Sequence, residues 1–175
     1  MNYAIYLRPL RVSDAQNNVK WDTDTNHRKH TREMSEQYMP LDIEVGWLSY
    51  ILGSTTDKCF AICLNFTDRH IGNIELTNIS DHDAQCNILI GEKEFRGKGI
   101  ATKAMQLISE FAFSHLKLKQ LYRTVYQKND VDTFVCQKCV FIESESKEIN
   151  PVMHTLSIED YCEKCKGCSI NNWQI

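Results

Sequence analysis

The stretch "NILIGEKEFRGKGIATKAM", residues 87–105, decides how this 175-residue chain is to be read. Its first residues are apolar and β-prone, its middle is a charged loop with two glycines, and from Gly99 the apolar residues recur at helical spacing. Ile100, Ala104, Ile108, Phe111 and His115 fall near one face. A strand therefore runs through a glycine loop into a long helix. In "RGKGIA", 96–101, Gly97 and Gly99 let the backbone approach a ligand closely, and the first amides of the new helix point outward unpaired. That arrangement suits a phosphate or pyrophosphate, with Arg96 and Lys98 adding positive charge. A P-loop needs Gly, four residues and then Gly-Lys-Ser/Thr, and the dinucleotide fingerprint needs G-x-G-x-x-G; neither pattern is present.

Outward from this loop, "CFAICLNF" (59–66), "HIGNIELTNI" (70–79) and "AQCNILIG" (84–91) are strands joined by turn-like "TDR" and "SDHD", a meander of antiparallel neighbours. Before them, "AIYLRPL" (4–10) reads as a strand. "SDAQ" (13–16) reads as a capping box with Ser13 as N-cap, starting a helix to Trp21. Residues 22–39 are polar and aperiodic. After Pro40 a second helix carries Ile43, Trp47, Tyr50 and Ile51 on one face, which predicts a core-facing stripe, and Gly53 ends it. Beyond the long helix come a strand at 120–127, a short helix at 130–139, a strand at 140–146 and a last strand at 152–160. The expectation is an α/β (α+β) fold: a mixed, mostly antiparallel sheet of six to seven strands flanked by about four helices. One domain, 1–160, is followed by a cysteine-rich tail, 161–175.

A net charge of -3, from 20 Lys and Arg against 23 Asp and Glu, argues against a broadly basic nucleic-acid-binding surface. The start, "MNYAIYLRPLRVSD", places arginines where a signal peptide needs an apolar run, and no apolar stretch approaches the roughly 20 residues of a membrane span. A soluble, cytoplasmic protein is expected, with no membrane or nucleic-acid partner and with a homodimer left open. In that compartment the eight cysteines read as thiols or ligands rather than disulfides.

The loop matches, at Arg96, Gly99 and Ala101, the acyl-CoA-binding pattern Gln/Arg-x-x-Gly-x-Gly/Ala. With "LRPL", "HIGNIEL" and "LYRTVYQKND" before a final "VF", the chain resembles the GNAT N-acetyltransferases from about residue 7 to 160. It looks most like the branch with ribosomal-protein, spermidine and amino-sugar acetyltransferases. The resemblance implies a V-shaped opening between the strand ending near Ile90 and "LYRTVY". The pantetheine arm of acetyl-CoA would bond backbone groups of Ile88, Leu89 and Ile90. Its pyrophosphate would lie on Gly97, Lys98, Gly99, Ile100, Ala101 and Thr102. An amide near Leu89 would polarise the thioester carbonyl. Asn129 and Lys138 match family positions near the cofactor; Asn129 equally reads as a helix N-cap. No metal is expected.

The resemblance also implies an amine acceptor, an amino-sugar nucleotide, a polyamine or a protein N-terminus. It would be held by the first two helices and the loop between them, where Trp21, Asp22, Asp24, His27, Trp47 and Tyr50 lie, together with the tail. Direct attack on the thioester needs a base, and Glu75 in "GNIEL" alternates against Ile74 and Leu76 toward the cleft side; a solvated strand Glu is the plain alternative. At the other end the family places a Tyr general acid, and here Cys136 stands at that position, while Val140 replaces the usual Gly. A thiol with a reference pKa of about 8.5 is a conceivable donor; a small buried hydrophobe is the plain alternative. Finally, "CQKC" (136–139) and "CEKC" (162–165), 22 residues apart, approach the spacing of a zinc ribbon. A zinc-linked or CoA-binding module without turnover is thus the competing reading.

Overall fold

The computed structural model describes residues 3–22, 39–126, 129–144 and 151–164. Its centre is a seven-stranded sheet in the order β1-β2-β3-β4-β5-β7-β6. These are β1 (Ile5–Pro9), β2 (Lys58–Leu64), β3 (His70–Thr77), β4 (Asp83–Ile90), β5 (Gln120–Val125), β6 (Ile142–Glu143) and β7 (Val152–Ser157). Five α-helices accompany it among the described residues: α1 (Ala15–Asp22), α2 (Leu41–Ile51), α3 (Ile100–Ser114), α4 (Asp130–Lys138) and α5 (Ile158–Lys164). The fold is the mixed, mostly antiparallel α/β architecture expected, with β4 and β5 its parallel pair, joined by α3.

Alternation in the strands sorts the two faces. In β3, Ile74 and Leu76 turn to the larger core, built with Ile100, Ala104, Met105 and Ile108 of α3, while Asn73, Glu75 and Thr77 turn the other way. On that second face Tyr6, Cys59, Ala61 and Cys63 meet Ala15 of α1 and Leu48 of α2. The ladder between β4 and β5 is short: pairing runs from Asp83↔Gln120 to Gln85↔Tyr122, although both strands continue past it. From Cys86 and Arg123 onward they part, which is the V-shaped opening.

Several sequence expectations are corrected. The first cap is formed by Asp14 rather than by Ser13 and Gln16: its carboxylate accepts the Arg11 N–H at 2.8 Å at the start of a 3-10 turn that leads into α1. Of the expected α2 stripe, Ile51 packs inward, with Val45 and Leu48, whereas Ile43, Trp47 and Tyr50 face outward, Tyr50 being 78% exposed. The segment "LDIEVGWLSYI" carries two apolar stripes, and periodicity cannot choose between them; the sheet does. The strand expected at 140–146 is only Ile142–Glu143 among the described residues. The last strand stops at Ser157, whose hydroxyl accepts the Asp160 N–H at 3.1 Å, so "SIED" is the start of α5 and not the end of β7.

The end of α4 shows why Val140 matters. Phe141 N–H donates to Cys136 O at 2.9 Å and Val140 N–H to Gln137 O at 3.2 Å, the paired bonds of a Schellman motif. Val140 therefore occupies the left-handed position, at φ 67°, where a β-branched side chain is strained by roughly 1–2 kcal/mol. Val140→Gly is expected to raise the unfolding free energy by about 1 kcal/mol despite the greater entropy of glycine, read as an upward shift of the denaturant midpoint at unchanged slope.

Candidate active site

The site begins with a distortion of β4. Gly91 and Glu92 both donate their amides to Ile71 O, at 2.9 and 3.1 Å, so two residues oppose one and the strand bends as it leaves the sheet. Two glycines make the bend possible. A Cβ on Gly72 would lie 2.2 Å from Leu89 O, and a Cβ on Gly91 would lie 2.0 Å from the indole of Trp21. The Gly91–Ile71 bond also sets the phase of the ladder. Bonded antiparallel pairs alternate, so with Asn73 opposite Leu89, the Leu89 amide is directed at β3, and the amides of Ile88 and Ile90 are directed at the opening. Of the three residues expected to offer groups to the cofactor, Leu89 is the one turned away.

Arg96 does not reach outward. Its Nε donates to Ile90 O at 2.8 Å and its Nη2 to Gly91 O at 3.0 Å, so the guanidinium ties the loop to the bent end of β4. The chain then passes Gly97 (φ 70°) and Gly99 (φ 75°), both left-handed and both with open space where a Cβ would stand. Gly99 is the N-cap of α3, a cap without a side-chain hydrogen bond. The first amides of this 15-residue helix, at Ile100, Ala101 and Thr102, thus have no side-chain cap and lie at the positive end of the helix dipole. Lys98 lies over the Tyr3 ring at 5.4 Å.

Across the opening, Asn129 caps α4: its Oδ1 accepts the Asp132 N–H at 3.2 Å and its Nδ2 donates to Asp132 Oδ2 at 2.8 Å. The capping reading of Asn129 is realised. Lys138 is exposed and lies over Phe134 at 5.3 Å. Cys136 is 0% exposed, and burial pushes its thiol up to about 11, with the nearby Arg123 opposing that rise. The second cysteine of "CQKC", Cys139, points its thiol at Thr102 O, 3.6 Å away, which links the end of α4 to the first turn of α3. Among the described residues no group of three or more His, Cys, Asp or Glu side chains is placed to hold a metal ion. Cys165 and Cys168 lie outside them.

Glu75 sits on the α1/α2 face, between Cys59 of β2 and Asn87 of β4. It is half-buried, and the Cys59 thiol donates to its Oε2 at 3.7 Å; burial first and this carboxylate second push that thiol up to about 12. Thr77, Gln85 and Asn87 continue the polar strip, with Asn87 Nδ2 3.5 Å from Thr77 Oγ1. Of the expected acceptor residues, Trp47 is exposed and Asp22 half-buried. Trp21 is the exception: it is 2% exposed, packed on Gly91 and on the His70 ring, with its Nε1 donating to Glu92 at 3.0 Å. Its indole faces the interior and offers no surface for stacking. Asp24 and His27 lie outside the described residues.

Two polar centres were not anticipated from sequence. Glu92, buried beside Trp21, accepts from Lys20, Trp21 and Arg69, and so fastens α1 to the bend after β4. Asp14 accepts both Arg8 Nη1 and Nη2 at 2.8 Å and lies 3.4 Å from His70 Nδ1. From His70 the bonds continue through Asn73 and Asn18 to Glu44 of α2. The Asn73 amide nitrogen donates to Asn18, so its oxygen is the acceptor and His70 Nε2 is the donor. The signal for both centres was a polar residue beside an apolar strand, too common a pattern to single out.

The class of protein this fold and loop define is an acyltransferase. The sequence model of the family described as "Acetyltransferase (GNAT) domain" matches residues 4–142, and the chain belongs to that family. A probable N-acetyltransferase, YjcK of Bacillus subtilis (strain 168), is 28% identical over 145 residues, covering 78% of this chain and 80% of that protein. Among solved structures, spermidine N-acetyltransferase from Vibrio cholerae in complex with CoA and spermine superposes with a TM-score of 0.79 at 21% identity, covering 90% of this chain and 98% of that one. Mycobacterium smegmatis RimJ in complex with CoA-disulfide superposes with a TM-score of 0.78 at 16% identity, covering 89% and 83%. Among the described residues no helix is long and apolar enough to cross a membrane.

Proposed function

We propose that the chain is an acetyl-CoA-dependent N-acetyltransferase acting on a primary amine by direct attack in a ternary complex. The observation that carries this reading is the conjunction of the parted β4 and β5 with the uncapped start of α3, where glycines at 97 and 99 leave room for a diphosphate. Acetyl-CoA, when bound, supplies an acyl group activated as a thioester. The amides of Ile100 to Thr102 hold its pyrophosphate, those of Ile88 and Ile90 its pantetheine arm and the thioester oxygen, and Arg96 keeps the loop in shape without touching phosphate.

Glu75 takes the proton of the attacking amine, directly or through a water, on the face where α1 and α2 meet the sheet. The acceptor enters there. Glu44, Asp22 and Glu75 favour a cationic amine, and the spermine complex of the Vibrio cholerae neighbour supports a polyamine ahead of an amino-sugar nucleotide or a protein N-terminus. Cys136 is a packing residue. Burial pushes its thiol up to about 11, above the reference of about 8.5 for a thiol, which makes it a poor donor to the CoA thiolate. The same missing tyrosine favours a second reading, a module that binds CoA without turnover.

Thermal-shift measurement with acetyl-CoA, followed by thiol release with spermidine, glucosamine-type sugars and a short peptide, separates these readings. A stabilising shift and CoA release with one amine class are expected; a shift without release supports the second reading, and no shift removes the cofactor assignment. Glu75→Gln is expected to lower kcat about 10²–10³-fold with the KM for acetyl-CoA little changed. Full activity in that variant would remove the base.

A further inference from the structure

Arg123 is the first residue of β5 beyond its last pair with β4, at the point where the two strands part. It is 3% exposed, and a guanidinium stays charged at any ordinary pH. The groups facing it are Cys86 of β4, Met105 of α3, Asp132 and Cys136 of α4, and His154 of β7 with Glu143 beyond it. Asp132 brings the opposite charge within reach, at 3.3 Å, but that carboxylate is 31% exposed and its other oxygen is engaged by Asn129. Among the described residues Nη1 has only the Met105 sulfur, at 3.9 Å. The Nε–H is buried with no hydrogen-bond partner among the described residues, a state that burial away from water disfavours. A cation so weakly compensated at the base of the opening, beside the cysteine that stands where the family has its acid, suits an anion that comes and goes.

We propose that Arg123 stabilises the thiolate of CoA as it leaves, its charge and its free Nε–H doing the work that a proton donor at position 136 would otherwise do. The proposal rests on the acetyl-CoA reading above. As the amide C–N bond forms, the thioester C–S bond breaks and the electron pair stays on sulfur. The amine proton goes to Glu75 and on to solvent. Arg123 holds the sulfur anion, which takes up a proton from solvent when CoA is released. No second acid is required.

The test is the pKa of the CoA thiol on the protein. The protein is saturated with CoA and the thiolate absorbance followed against pH, with CoA lacking its sulfur as the blank for the protein's own cysteines and free CoA as the reference. In the wild type the bound thiol is expected to titrate about 1–2 units below the reference of about 8.5. Arg123→Gln is expected to abolish the shift while CoA binding at pH 6 is retained, and Arg123→Lys to keep part of it. An unshifted thiol in the wild type, or an unchanged shift in Arg123→Gln, overturns the proposal. If the glutamine variant does not fold, the wild-type titration alone decides. Failure of CoA to bind at all overturns the acetyl-CoA reading, and this proposal with it, whereas binding with an unshifted thiol overturns this proposal alone.

Discussion

Asp14→Ala is expected to lower the unfolding free energy at pH 7 by about 3–5 kcal/mol. The carboxylate is buried, holds both terminal nitrogens of a nearly buried Arg8 and also accepts the Arg11 amide. Its removal leaves the guanidinium without a carboxylate, although Nη1 still donates to Pro9 O at 3.1 Å, and breaking a buried ion pair from one side costs far more than the pair itself contributes. The sign of the pH dependence follows. Although burial opposes ionisation, the bonds from Arg8, His70 and Arg11 hold the Asp14 carboxyl well below the usual carboxylate range. A depressed folded pKa means that the stabilisation is fully present above the unfolded value of about 3.9 and is lost as pH falls below it toward the folded one. Urea unfolding at pH 7, 4 and 3 checks both points. The gap between wild type and variant should be widest at pH 7 and narrow below pH 4; a gap under 1 kcal/mol at pH 7 would show that Arg8 finds another partner.

Gly91→Ala carries the second large effect, about 3–5 kcal/mol. The added methyl would lie 2.0–2.5 Å from three ring atoms of Trp21. That ring cannot turn aside cheaply, because its edge packs on His70 and its Nε1 is bonded to Glu92. Either the bend after β4 shifts or the indole leaves the interior, and loss of a buried Trp costs on the order of 3–5 kcal/mol. A double-mutant cycle isolates the cause. In a Trp21→Ala background the same glycine change is expected to cost less than about 1 kcal/mol, a coupling of 2 kcal/mol or more. Independent costs would place the strain in the backbone instead. Tryptophan emission of the single variant should shift toward that of an exposed indole.

These two residues also mark what lay beyond the sequence. The loop 96–101 is legible because its geometry rests on a local pattern: glycines for left-handed turns, then a helix whose first amides have no intrahelical acceptor. Period-2 alternation placed Glu75 opposite Ile74 and Leu76 for the same reason, since a strand decides its faces one residue at a time. Trp21, by contrast, lies where the family resemblance implies an acceptor surface, and nothing local records that Gly91, 70 residues later, leaves a space of its size. The outward stripe of α2 was missed because both of its faces are apolar. The "SIED" cap is a local signal too, but the apolar run before it competes as a continuing strand.

The sequence by itself determined the order of elements as far as β7, the crossover through α3 and the glycine loop before it, because each rests on spacing within a few residues. Only the tertiary structure decided what the side chains do. It turned Leu89 toward β3, folded Arg96 back on the strand end, sealed Trp21 and Cys136 in the interior, and left Arg123 under-compensated where β4 and β5 part. Those outcomes depend on which distant chain fills the space and meets the hydrogen bonds of each group, a contest settled by packing and desolvation rather than by neighbours in sequence.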